Sequence, residues 1–230
     1  MQTVYEHPLV SVIVVVRNGE RFIAEALQSI YAQTYRPIEI LVVDGQSTDR
    51  TAEIAVSFPG IHFLCQPDKG VANAYNYGLT HAQGELIAFL SHDDKWMLDK
   101  LSIQVDYLLS HHNLQFSVCQ IKYFEEANCH ISPGFRYSLV NHEVVAFIPE
   151  TLVARRCLFD RIGQFDPSLS TAEDVDWFSR VFDAGISGYI APEVLVEKRI
   201  HDSNLSICSH DNNQHLLTAL RRSIIRKRQQ

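Results

Sequence analysis

The chain has 230 residues, 46% hydrophobic and 20% charged, with 10 Gly and 8 Pro. That composition fits one large α/β domain or two small ones and excludes disordered, collagen-like and solenoid chains. Its 20 basic and 27 acidic residues give a net charge of −7, which excludes a general nucleic-acid binder because such a protein needs a basic field.

The charge is uneven. The last ten residues, RRSIIRKRQQ, hold five basic groups and no acid, leaving −12 on the rest. No apolar run approaches the roughly 18–20 residues that span a bilayer, and the N-terminus lacks a basic segment followed by an apolar one, so no signal peptide is expected. The five cysteines are odd in number, widely spaced and free of any C-x-x-C pair. They suggest neither a disulfide framework nor a zinc site, and a cytoplasmic, reducing location is expected.

The first half alternates between two periodicities. Residues 9–16 (LVSVIVVV) form a β-branched run suited to a strand buried on both faces. Residues 21–33 place Phe22, Ile23, Ala26, Leu27, Ile30 and Tyr31 at helical spacing. Strands are expected at 38–43, 61–65 and 85–90, with helices at about 47–57, 71–81 and 98–110. This βα repeat predicts a parallel sheet with right-handed crossovers. The second half is less regular. A strand is expected at 115–124, weak periodicity over 125–144, helices at 154–162 and 172–184, short strands near 188–190 and 194–199, and a terminal helix over 212–228.

In open parallel sheets, ligands bind beyond the carboxyl ends of the strands. Asp44 ends the second strand, Asp68 lies just past the third, and Asp93 and Asp94 end the fourth. Gathered carboxylates repel, so a cation or donor must neutralise them. The plain alternative, that they are helix caps and turn formers, suffices for Asp49. An acid pair at a strand end suits Mg²⁺ or Mn²⁺ bridging protein to diphosphate. No Gly-rich phosphate loop follows any strand, which removes nicotinamide-dinucleotide and P-loop readings. Further on, Glu173, Asp174 and Asp176 open a helix. The helix dipole and an ion pair to Arg180 account for Asp176, whereas Asp174 is a candidate general base. Lys69 can reach a phosphate or simply complete the turn PDKG, and Asn76 can touch a donor or face solvent. Trp96 and Trp177 read as packing residues.

Four blocks in order then resemble the inverting, GT-A-type glycosyltransferases of family 2, over about residues 8–205. They are SVIVVVRNGERFIAEALQSIYAQTYRPIEILVVDGQSTDRT, QPDKGVANAYNYGLTHAQGELIAFLSHDD, GQFDPSLSTAEDVDWFSR and KRIHDSNLS. The resemblance implies an α/β GT-A fold: a single Rossmann-like domain with a mostly parallel central sheet flanked by helices. Residues 1–210 would form it, with a nucleotide-binding half at about 8–98 and an acceptor half at about 99–210, followed by a basic amphipathic helix at 211–230.

The implied activity is metal-dependent, inverting transfer of one sugar from a nucleotide-diphosphate sugar, UDP-linked by preference, to a hydroxyl of a glycan, lipid-linked or other acceptor. Asp44 would accept from the nucleobase, Asp93 from ribose, and Asp94 with His201 would hold Mn²⁺ or Mg²⁺. Asp174 would be the base, and Lys69 and Asn76 would touch the donor. The family often has an acid two residues before the Asp pair, where this chain has Ser91-His92. The Q-x-x-R-W element of processive members is absent. The rival readings are a nucleotide-sugar-binding protein without transferase activity and a metal-dependent phosphohydrolase suggested by His92-Asp93. For the terminal helix, the primary expectation docks the Leu216, Leu217, Leu220 and Ile224 stripe on the domain with the basic face solvated. The alternative is peripheral contact with the inner face of a membrane.

Overall fold

A computed structural model describes residues 7–126, 142–202, 204 and 212–228. Strand β1 (Val10–Val16) is buried along its whole length, as its β-branched run requires. It pairs in parallel with β2 (Ile38–Asp44) on one side and with β4 (Leu86–Ser91) on the other, and β3 (Ile61–Cys65) extends the sheet beyond β2. Helices α1 (Ile23–Tyr31), α2 (Thr51–Val56) and α3 (Val71–His81) provide the crossovers.

The alternation of side chains on β1 divides the core into two layers. Val10, Val12, Val14 and Val16 pack with α1 residues Ile23, Ala26, Leu27 and Ile30, and with Leu101, Val105 and Leu108 of α4 (Lys100–Ser110). Ile13 and Val15 face the other way, toward Ala72, Tyr75 and Leu79 of α3. Leu158 and Phe159 of α5 (Arg156–Ile162) and Trp177, Phe178 and Val181 of α6 (Glu173–Asp183) complete that second layer. The result is a sheet covered by helices on both faces, the architecture the βα repeat predicts.

The second half departs from expectation in its strands. Residues 154–155, expected to begin a helix, belong to β8 (Val153–Arg155), which runs antiparallel to β4, so α5 starts only at Arg156. The two short strands expected at 188–190 and 194–199 are one strand, β9 (Gly188–Ile200), parallel to β6 (Phe116–Glu125). Its register shifts opposite Val118–Ile121, near the Pro192 that interrupts the apolar pattern. Besides β8, two further strands were not foreseen: β5 (Lys95–Trp96), antiparallel to β9, and β7 (Glu143–Val145), antiparallel to β6. Strands this short leave almost no periodic signal. One sheet, ordered β3-β2-β1-β4-β8-β6-β9-β5, thus runs through both halves. Most of the weakly periodic 125–144 segment lies outside the described residues.

The terminal helix α7 (Asn212–Arg228) occupies the span read from sequence but reverses the expected docking. Arg222 Nη1 meets Asp166 at 2.6 Å, Arg226 Nε meets Asp183 at 2.8 Å, and Ser223 Oγ donates to Asp183 at 2.9 Å. Ala219 is buried, whereas Leu216, Leu217, Leu220, Ile224 and Ile225 are exposed. The acids Asp166, Asp176 and Asp183 claim basic side chains of α7, so its apolar stripe turns outward.

Candidate active site

Sheet order reverses around β1, whose neighbours are β2 and β4, and the crevice beyond such a switch point is where ligands bind. A cleft of about 450 Å³ lies there, lined by residues beyond the strand ends, among them Arg17, Gly45, Gln66, Lys69, His92 and Asp93. His92 therefore faces the cleft. Gly19 makes room for its ring, since a Cβ there would stand 2.5 Å from His92 Cδ2. Burial lowers the His92 pKa, which keeps the imidazole neutral at pH 7.

Asp44 is buried at the end of β2 and accepts from the Ser47 backbone N–H at 3.0 Å and from the Ser47 hydroxyl. That local turn fixes the carboxylate beside Gly45. Lys69 is exposed on the cleft rim. Asn76 corrects the sequence-based expectation. Its amide donates to Phe165 O at 2.8 Å and accepts from Phe165 N–H at 3.0 Å, a clamp that ties α3 to the loop before α6. These two bonds give Asn76 a structural role through its carbonyl and one of its N–H groups.

The two adjacent acids separate sharply. Asp93 lines the cleft, and its Oδ2 lies 2.9 Å from His201 Nε2 and 3.2 Å from Asn204 Nδ2. Burial opposes ionisation of Asp93, but the His201 contact together with His92 and Lys198 holds its carboxyl well below the usual range. Asp94 points behind the cleft, with a side chain closed to solvent. Its Oδ2 takes Lys198 Nζ at 2.7 Å and its Oδ1 takes the Arg199 backbone N–H at 2.9 Å. The expectation that Asp94 would be the cation ligand is therefore not met by its placement; β4 ends at Ser91, and the turn closed by Asp94 N–H on Ser91 O sends the two neighbouring side chains different ways. His201 reaches Asp93 rather than Asp94 and packs against the Phe22 ring at 4.9 Å.

Arg199 secures this floor. Its Nε donates to Asp93 O at 3.0 Å, its other nitrogens pair with Glu25 and Glu126, and it lies between the rings of Phe22 and Phe124 at 4.5 and 4.7 Å. A buried guanidinium so fully partnered is a scaffold for the carboxylates around it.

Glu150 was not foreseen at all. It is buried just before β8, accepts from Ser91 Oγ, and lies 3.5 Å from Lys198 Nζ. Ser91 thus reaches an acid supplied by another element. Glu173 and Asp174 join the same cluster. Burial, with a smaller contribution from Glu150, pushes Asp174 up to about 6 against the opposing Val175 N–H and Lys198. Burial, with the neighbouring Asp174 charge, pushes Glu173 up to about 8. The preceding Ala172 adopts a left-handed backbone with φ 64°, a conformation that costs a non-glycine residue about 1 kcal/mol, at the point where the chain enters α6. Asp176 pairs with Arg180 at 2.9 Å, as its spacing predicts. Trp96 and Trp177 are buried, with indole N–H groups bonded to Glu150 O and Gly163 O.

The charges of Asp94, Glu150 and Asp93 raise the pKa of the buried Lys198 ammonium in spite of burial; Asp174 feels both Lys198 and Glu150, and Glu173 joins through Asp174 and Glu150. Among the described residues no three His, Cys, Asp or Glu side chains are grouped to hold a metal by themselves. Nor is any helix there long and apolar enough to cross a membrane.

Residues 11–154 match the model of glycosyl transferase family 2, and the chain belongs to that family. It is 35% identical over 209 residues to an uncharacterized glycosyltransferase of Rickettsia typhi, covering 85% of this chain and 65% of that protein. Among solved structures, Staphylococcus aureus TarS in complex with UDP-GlcNAc aligns with a TM-score of 0.77 at 21% identity, covering 94% of this chain and 66% of that one. The mannosyltransferase PcManGT of Pyrobaculum calidifontis, in complex with GDP-Man and Mn²⁺, aligns with a TM-score of 0.73 at 24% identity over 96% of this chain and 65% of that one. Such identities show a common GT-A fold. The chain spans about two thirds of the length of each of these three proteins.

Proposed function

We propose that the chain transfers a single sugar, with inversion, from a nucleotide-diphosphate sugar to an acceptor hydroxyl. The observation that carries the proposal is the placement of Asp174, a carboxyl raised to about 6, in the same electrostatic cluster as the cleft-lining Asp93. A base with a pKa near 6 is ionised at neutral pH yet retains more proton affinity than an ordinary aspartate, which suits it to take a proton from an attacking hydroxyl. Glu173, pushed to about 8, holds its proton at pH 7 and is the poorer base.

In this reading Asp44 accepts from an N–H of the nucleobase, and Ser47 keeps the carboxylate aimed. Asp93 faces the ribose and diphosphate, and Lys69 approaches the phosphates from the rim. A donor of the UDP or GDP class is supported by the complexes of TarS and PcManGT, with UDP preferred.

The residues present fit a divalent cation that arrives with the diphosphate. Asp93 Oδ1 accepts no hydrogen bond among the described residues, His201 stands beside it, and the surrounding acids outnumber the buried cation Lys198. Hard oxygen donors with few protein ligands match Mg²⁺ or Mn²⁺ shared with phosphate oxygens. When bound, such an ion would offset charge developing on the departing diphosphate. Asp94 then acts by holding Lys198 and the start of the His201 segment.

The test is a thermal-shift panel of UDP-, GDP- and dTDP-sugars with and without Mn²⁺, followed by product analysis with candidate acceptors. Stabilisation by one nucleotide class and a glycosylated product support the proposal. Cleavage of the donor with no transfer to any acceptor would instead favour hydrolysis, and binding with neither would favour a non-catalytic module.

A further inference from the structure

We propose that the outward face of α7 is a docking surface for an anionic lipid bilayer. The helix is fixed to the body by one side only, through Arg222, Ser223 and Arg226, which bond to Asp166 and Asp183. On the opposite side Leu217, Leu220 and Ile224 form a stripe at i, i+3 and i+7, each 45 to 53% exposed. Exposed branched aliphatic side chains in a row, on a body with an otherwise well-filled core, mark a surface that meets another apolar phase. At 17 residues the helix is about 25 Å long, too short to span a bilayer but suited to lie in its interface.

Charge chooses the occupant. Residues 212–228 contain no acid, and Arg221 and Arg228 lie next to the stripe on the outward face. A second copy of α7 packed on this stripe would bring arginines against arginines. An anionic headgroup layer would instead accept them, with the guanidinium stems lying along the apolar boundary. The placement also has a consequence for access. His215 Nδ1, near the start of α7, lies 3.2 Å from Ser170 Oγ, and Ser170 lines the cleft. A bilayer held by α7 would therefore lie beside the cleft mouth. The proposal does not depend on the catalytic reading.

The experiment is flotation of the full chain with vesicles of phosphatidylcholine, with and without phosphatidylglycerol, at low and high salt. The expected result is recovery with the anionic vesicles only, lost at high salt. Leu217→Ser/Leu220→Ser/Ile224→Ser should abolish recovery, and Arg221→Gln/Arg228→Gln should weaken partitioning about 30-fold. These substitutions leave the docked face intact, and an unchanged thermal midpoint would verify that. Absence of wild-type recovery, whether because further chain or a second copy covers the face, would overturn the proposal. So would serine variants that float like wild type, or a dimer that the serine variant converts to monomer. Loss of sugar transfer with flotation intact would count against the catalytic reading alone.

Discussion

Asp174→Asn removes the proposed base while keeping its shape and its place in the cluster. General-base catalysis contributes about 10²–10⁴ in rate, so kcat should fall by that factor while the donor KM changes little. The wild-type pH profile supplies a second, independent magnitude. With Asp174 pushed to about 6 by burial and by Glu150, about a tenth of the base is ionised at pH 5 and nearly all of it at pH 7.5. The active form is the carboxylate, so kcat/KM should rise roughly tenfold per pH unit below 6 and level off above it. An ordinary aspartate would give a plateau extending to about pH 4. Glu150→Gln removes a negative neighbour and should move the acidic limb to lower pH. The assay is initial-rate transfer of radiolabelled sugar, with kcat and KM separated at each pH. Near-normal turnover by Asp174→Asn, or a limb at the ordinary aspartate value, would refute the base assignment.

Asp93→Ala should lose Mn²⁺-dependent donor binding, read by calorimetric titration, with only a modest fall in stability. Asp94→Ala should show the opposite balance, because it removes the nearer carboxylate of the buried Lys198 ammonium and the acceptor of the Arg199 N–H, leaving Glu150 at 3.5 Å; urea unfolding should show a loss on the order of 3 kcal/mol. Asn76→Ala leaves the Phe165 N–H and carbonyl without their side-chain partners and should cost about 1–3 kcal/mol, while donor KM stays near wild type. Asp183→Asn weakens the anchor for Arg226 and Ser223, so hydrogen exchange across residues 212–228 should quicken while transfer activity persists.

Residue order and periodicity determined a good deal of this protein. The β-branched runs at Val10–Val16 and Ile38–Asp44 and the helical stripes between them dictated a parallel sheet, and that sheet carried Asp44 and Asp93 to one edge. The acids that open α6 made Asp174 a candidate base, and resemblance added His201, which directly follows β9. Three matters rested on tertiary structure. The first is which of two neighbouring acids faces the cleft: the turn after β4 leaves Asp93 on the cleft and Asp94 on Lys198, and sequence adjacency carries no sign for that choice. The second is Glu150, whose segment has no periodic signal and whose place at Ser91 depends on β8 lying antiparallel beside β4. The third is the orientation of α7. An amphipathic helix read alone is expected to bury its leucines, because apolar burial outweighs one surface ion pair. Here Asp166, Asp176 and Asp183, distant in the chain until folding brings them together, offer several ion pairs on one side of α7, and its aliphatic side chains face outward.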